Sequence, residues 1–94
     1  MSFAAVVSVD NSGEDPDEGR RGLREELTPV IRELPGFVSC IFMTDYERGR
    51  GLGVVVLETR EQATQLAAGL AVGSEIRVGV TVIASEVFEV AASA

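Results

Sequence analysis

Residues 37 to 57, FVSCIFMTDYERGRGLGVVVL, hold two strand-like runs around a turn, and each run is apolar on both of its alternating sets. Successive strand side chains point to opposite faces of a sheet, so such a hairpin needs cover on both sides. The chain has 94 residues, enough for one domain and too few for two. One sheet must therefore find two covers, with little chain left to supply them.

The flanking segments supply the first. FAAVVSV, residues 3 to 9, reads as a buried strand. NSGEDPDEG is loop followed by a helix start: Asp15 suits the N-cap, Pro16 the first helical position, and Asp17 and Glu18 the positive end of the dipole. Leu23, Leu27, Val30, Ile31 and Leu34 form one helical face, although Gly19 and Gly22 each cost about 1 kcal/mol relative to alanine. Pro29 cannot donate its backbone bond to Glu25, and a kink at Thr28 is expected, the helix continuing because the stripe does. Pro35 and Gly36 end it, with Gly36 suited to a left-handed C-cap.

With Arg48-Gly49 as the turn centre, Met43 faces Val54, Ile41 faces Val56, Tyr46 faces Gly51 and Thr44 faces Gly53. Thr59 to Gln62 fits a capping box, and Ala63, Leu66, Ala67, Leu70 and Ala71 form the apolar face of a second helix. GSEIRVG, residues 73 to 79, fits a loop with a helical turn, and VTVIASEVFEV, residues 80 to 90, a closing strand. The order is β-α-β-β-α-β in a single domain spanning residues 1 to 94. That order predicts an α+β, ferredoxin-like fold, a four-stranded antiparallel sheet with both helices on one face.

The other face stays open. A domain of this size buries only about 60–65% of its unfolded surface, yet 46% of the residues are hydrophobic. The surplus points to a second subunit, and a homodimer is expected.

The residue types that are missing exclude much chemistry. There is no histidine, and all eight basic residues are arginines. Histidine triads, histidine zinc sites, proximal-histidine haem and lysine Schiff bases are ruled out. Cys40 is the only cysteine, so neither an internal disulfide nor a multi-cysteine metal site can form. No metal and no cofactor are expected. A net charge of −7 without a basic patch argues against nucleic acid and against anionic membrane surfaces. MSFAAVVSVD lacks a positive n-region and no apolar run reaches membrane-spanning length, which makes the cytoplasm the expected compartment.

LPGF before the second strand, VVVLETREQA from the third strand into the second helix, and the terminal SEVFEV together resemble the dimeric α/β-barrel superfamily, and within it antibiotic-biosynthesis-monooxygenase-like domains. The resemblance implies two sheets packed face to face across a dimer. It also implies a cofactor-independent, monooxygenase-like activity on a cyclic or polyketide-like substrate, or a non-catalytic ligand-binding or structural homodimer. Haem-degrading members use histidine and tryptophan, and this chain has neither. Aromatic-oxidising members tend to place an asparagine, a tryptophan, a tyrosine and an arginine around a pocket between sheet and helices; Asn11, Tyr46 and Arg50 are the matching types here.

Each candidate has a plainer reading. Tyr46 can orient a small aromatic ligand through its phenol, or stand at a strand end with its hydroxyl in water. Arg50 can hold a carboxylate or enolate, or pair with Glu47. Cys40 reads as a small buried hydrophobe, with no lysine or histidine to depress its pKa. The glycines from Gly49 to Gly53 lead into a strand, which makes them a hairpin and not a nucleotide loop. The acidic run from Glu14 to Glu18 is explained by a helix start without a metal. If the face bearing Cys40, Phe42, Thr44 and Tyr46 looks toward the helices, Gly51 and Gly53 leave an apolar cleft floored by Val55 and Leu57, with Tyr46 at its mouth. Such a cleft suits a flat apolar or aromatic ligand.

Overall fold

Strand β1 (Ser2–Asp10) lies at the centre of the sheet, paired antiparallel on both sides. The computed structural model describes residues 1–94. Helix α1 (Pro16–Gly22) follows, then a π-helical turn (Leu23–Leu27) and α2 (Thr28–Arg32), the three forming one rod. The hairpin β2 (Phe37–Asp45) and β3 (Arg50–Leu57) leads to α3 (Arg60–Ala68), and β4 (Glu75–Arg77) and β5 (Val80–Val90) close the chain. The sheet order is β2-β3-β1-β5-β4, all antiparallel. It is an α+β fold compatible with the ferredoxin-like arrangement.

The sheet has five strands, not four. Residues 75 to 77, expected as loop with a helical turn, add a short edge strand to β5. Gly73 (φ +90°) and Gly79 (φ +81°) bracket it, and Val78-Gly79 closes the hairpin between Arg77 and Val80. Three residues are too few to show a period, so the strand is set by its neighbour and not by its own pattern.

The caps form as their chemistry dictates. Asp15 accepts from Glu18 N at 3.0 Å, and the Thr59–Gln62 capping box is complete, with reciprocal bonds of 3.1 Å. Gly36 adopts φ +78°, and its carbonyl accepts from Glu58 N.

Pro29 does not end the helix: Thr28 keeps right-handed helical angles and residues Thr28–Arg32 stay helical. The preceding π-turn widens the rod, Thr28 N bonds to Leu23 O, and the Thr28 hydroxyl donates to the same carbonyl at 2.6 Å. The wider turn absorbs the donor that proline lacks and eases its ring past the carbonyl four residues back. It also takes up one extra residue, so beyond it position 31 stands where an unbroken α-helix would put position 30. Ile31 is accordingly buried and Val30 is 63% exposed. The expected stripe is corrected at that one residue.

The hairpin register is corrected by two residues. Met43 faces Leu52, Ile41 faces Val54, Phe42 faces Gly53 and Thr44 faces Gly51. A two-residue turn at Arg48-Gly49 would need positive φ at both positions, and no residue other than glycine adopts one here. Instead residues 46 to 49 form the loop: Gly49 has φ +68°, Gly49 N bonds to Tyr46 O, and Asp45 Oδ1 accepts from Arg48 N. A slip of two keeps every side chain on its predicted face.

Val55 and Leu57 look toward the helices, where Ile31 and Ala63 complete a core flanked by Phe37, Cys40 and Phe42. The opposite face carries Ile41, Met43 and Phe88, all more than two-fifths exposed, around Val6, Val54 and Val56. No helix is long and apolar enough to cross a membrane.

Candidate functional site

A cleft of about 270 Å³ opens between the helix-facing side of the sheet and the first helical rod. Leu23, Leu27 and Ile31 form its helical wall, the first two contributed by the π-turn. Phe42, Gly51, Gly53 and Val55 form its floor. The two glycines thus lie toward the helices, and neighbours settle over them. A Cβ at Gly53 would press on the Phe42 ring at 3.1 Å, and one at Gly51 on Val9 at 2.9 Å. Leu57 belongs to the core below and not to the cleft.

The polar side chains bordering this volume are Asn11, Glu14, Thr44 and Arg77. Asn11 is held by the turn that ends β1. Its N–H donates to Gly49 O at 3.0 Å, its carbonyl accepts from Glu14 N, and Asp10 accepts from both Ser12 N and Ser12 Oγ. Those Ser12 bonds hold the Asp10 carboxyl below the usual carboxylate range, and Arg50 adds to them. The Asn11 side chain is 2% exposed; its Nδ2 donates to Arg50 O at 3.0 Å, and its Oδ1 receives no hydrogen bond from the protein. The bond to a carbonyl fixes which end of the amide is nitrogen. A buried acceptor without a partner is uncommon in folded proteins.

Glu14 organises the end of the cleft. Its Oε1 accepts from the Tyr46 hydroxyl at 3.2 Å, and its Oε2 lies 3.4 Å from Arg77 Nη2. The glycines of α1 make room for this cluster. A side chain at Gly19 would overlap the Tyr46 hydroxyl and the Glu14 carboxylate, and one at Gly22 the Arg77 guanidinium. Helical glycine is costly, and here close approach explains it.

Of the residues expected from sequence, Asn11 and Phe42 border the cleft, while Tyr46, Cys40 and Arg50 do not. Tyr46 sits in the hairpin loop behind Glu14, with the Arg20 guanidinium 5.1 Å from its ring centroid. Cys40 packs beside the core. Arg50 lies on the open sheet face across from Asp10 and Asp45, and its side chain is not ion-paired with Glu47. Glu14 and Arg77 were not anticipated. The one sequence sign of them is the pair of helical glycines, which mark something pressed against α1. No group of three or more histidine, cysteine, aspartate or glutamate side chains gathers where it could hold a metal.

Tyr46 offers a direct test of the cluster. Partial burial, then the Glu14 charge and its hydrogen bond, raise the phenol above its ordinary 10.0, with Arg20 and Arg77 opposing. A folded value above the unfolded one contributes stability in full below the unfolded value, and that contribution is lost as pH rises through the folded value. Stability should therefore fall in the alkaline range above pH 10.0. Glu14→Gln should bring the phenol's titration down toward its ordinary value, read from tyrosinate absorbance because Tyr46 is the only tyrosine. An unchanged midpoint would mean that the pair does not form.

Compared with known proteins, the chain matches no family model and no curated protein.

Proposed function

We propose that the protein is a homodimer that binds a small, flat, largely apolar molecule in the cleft between its sheet and its first helical rod. The observation that carries this reading is a single one: a largely apolar cleft with only Asn11, Glu14, Thr44 and Arg77 as polar residues on its border. Small-molecule sites combine an apolar lining with a few placed polar groups, and about 270 Å³ lies just below the usual range of about 300–1,000 Å³. Binding without turnover fits better than monooxygenase-like chemistry, because the one carboxylate at the cleft already has both oxygens engaged, by Tyr46 and by Arg77. Oxygen consumption with a bound aromatic substrate would reverse that preference.

The dimer half of the reading rests on the open sheet face. Ile41, Met43 and Phe88 are large, apolar and exposed around a centre of valines. Contiguous apolar patches of that kind mark interaction surfaces. A second copy would bring the same patch to meet it about a two-fold axis, giving a barrel-like pair of sheets. Light scattering at micromolar concentration should report close to twice the 10.0 kDa chain mass, and a clean monomer would remove the dimer from the proposal. Backbone amide shifts under titration with bicyclic aromatic compounds test the cleft. Saturable shifts at Phe42, Gly51 and Gly53 are expected, and their absence across a varied panel would leave a purely structural role.

A further inference from the structure

We infer that the second copy docks so that Glu86 of each protomer meets Arg50 of its partner, in two ion pairs related by the two-fold axis. The inference rests on the dimer reading above and specifies how the two faces are set against each other.

Glu86 interrupts the apolar face. It lies across from Val6 on β1, and its neighbours on the same face of β5 are Ala84 and Phe88. The side chain is exposed and makes no ion pair within the chain. A second copy meeting this face would take the carboxylate out of water, a cost that only a cation on the partner offsets.

Arg50 is the one cation that the strands of this face offer. Arg77, the other arginine in a strand, borders the cleft on the helical side. Asp10 and Asp45 stand across from Arg50, yet neither lies close enough to pair with it. Asp10 accepts from Ser12 N and Ser12 Oγ, and Asp45 is engaged by the backbone N–H and the guanidinium of Arg48. Asp10, Asp45, Arg48 and Arg50 together carry no net charge, so Glu86 of the partner meets a neutral cluster whose unpaired cation is Arg50. Complementary charges of this kind fix register and orientation more than they add affinity.

Reciprocal contact places the axis midway between the two residues. Glu86 is level with Val6, Arg50 is level with Asp10, and β1 runs between their strands. The midpoint is therefore Ser8, a small side chain between Leu52 and Ala84, where two sheets can approach closely. Glu86 and Arg50 are separated by about 13 Å along the strands and about 10 Å across them. An axis perpendicular to that diagonal makes the strands of the two sheets cross steeply, as in orthogonal sheet packing.

Two charge reversals in the full chain test the pairing, by sedimentation over a concentration series. Glu86→Arg sets like charges against each other at both contacts, and so does Arg50→Glu. Each should raise the dissociation constant at least tenfold with an unchanged far-ultraviolet dichroism spectrum. Mixed one to one, the two variants oppose unlike charges at both contacts, and heterodimers of about wild-type affinity should form. Arg32→Glu, an equal change of charge at an exposed position on α2, should leave the dimer intact; a loss matching that of Arg50→Glu would make the effect one of net charge and overturn the pair. If Arg50→Glu fails to fold because it gathers three carboxylates, Glu86→Gln, Arg50→Gln and their double variant take its place. Losses that fail to add support the contact, and losses that add overturn it. A wild-type chain that stays monomeric overturns the dimer reading itself. A wild-type dimer that both reversals leave intact overturns the pair alone, as does weakening by both without recovery on mixing. Tighter association of Glu86→Arg with itself would make Glu86 an obstacle to pairing and overturn the inference as well.

Discussion

Val54→Asp should convert the proposed dimer to a monomer that keeps its fold. Val54 stands at the middle of the open sheet face, opposite Val6 on one neighbouring strand and Ile41 on the other. In a two-fold interface each substitution occurs twice, so two carboxylates would enter an apolar contact with no basic group on the surrounding valines to meet them. Leaving a charge unpaired in such a setting costs about 3–5 kcal/mol, and dissociation should strengthen by at least a hundredfold. The single chain tolerates the change because Val54 is only half-buried there, its side chain lying opposite to the helical core. Sedimentation should show the mass falling to 10.0 kDa with an unchanged far-ultraviolet dichroism spectrum. A variant that stays dimeric would place the interface on another surface. A variant that unfolds would mean that the face is needed for folding and not only for pairing.

That both faces of the hairpin are apolar was legible in the sequence, and so was the face that Gly51 and Gly53 share with Phe42 and Thr44, because both follow from period two alone; whether that face looks toward the helices was not. The exact pairing was not. A slip of two residues preserves every face, so hydrophobic pattern cannot distinguish Met43 opposite Leu52 from Met43 opposite Val54. What decides it is the loop, where Asp45 caps Arg48 N and Gly49 alone takes positive φ. Caps were legible because they are local: Asp15 and Thr59 each act on residues three positions away. The candidate site was half legible for the converse reason. Phe42 reaches the cleft from a strand position that alternation could place, and Asn11 from the turn just past β1, where only the family resemblance had singled it out. Glu14 and Arg77 meet across 63 residues of chain, through a three-residue strand with no readable period. Tyr46 drew attention as a lone phenol, yet it supports Glu14 from behind and does not face the cleft.

Leu57→Ala should be the most damaging conservative substitution in the chain, and Val30→Ala among the mildest, although the sequence stripe assigns Val30 to the core. Leu57 is 1% exposed and packs with Ile31, Val55 and Ala63. Truncating such a leucine removes its transfer free energy and leaves a void, together about 2–5 kcal/mol. For a chain of this length the whole stability is about 5–15 kcal/mol, so a midpoint shift of roughly 10 °C or more is expected. Val30 lies beyond the π-turn, where the added residue has rotated it into solvent, and its truncation should cost no more than about 0.5 kcal/mol. The comparison must be made at one protein concentration, because the midpoint of the proposed dimer would move with it. If Val30→Ala costs more than 1 kcal/mol, as a buried valine would, the helix runs through Pro29 without the π-turn. Leu23 and Leu27 would then lose the setting that aims them at the cleft. The pair of measurements therefore tests the core and the wall of the cleft together, since one extra residue in a single helical turn sets both.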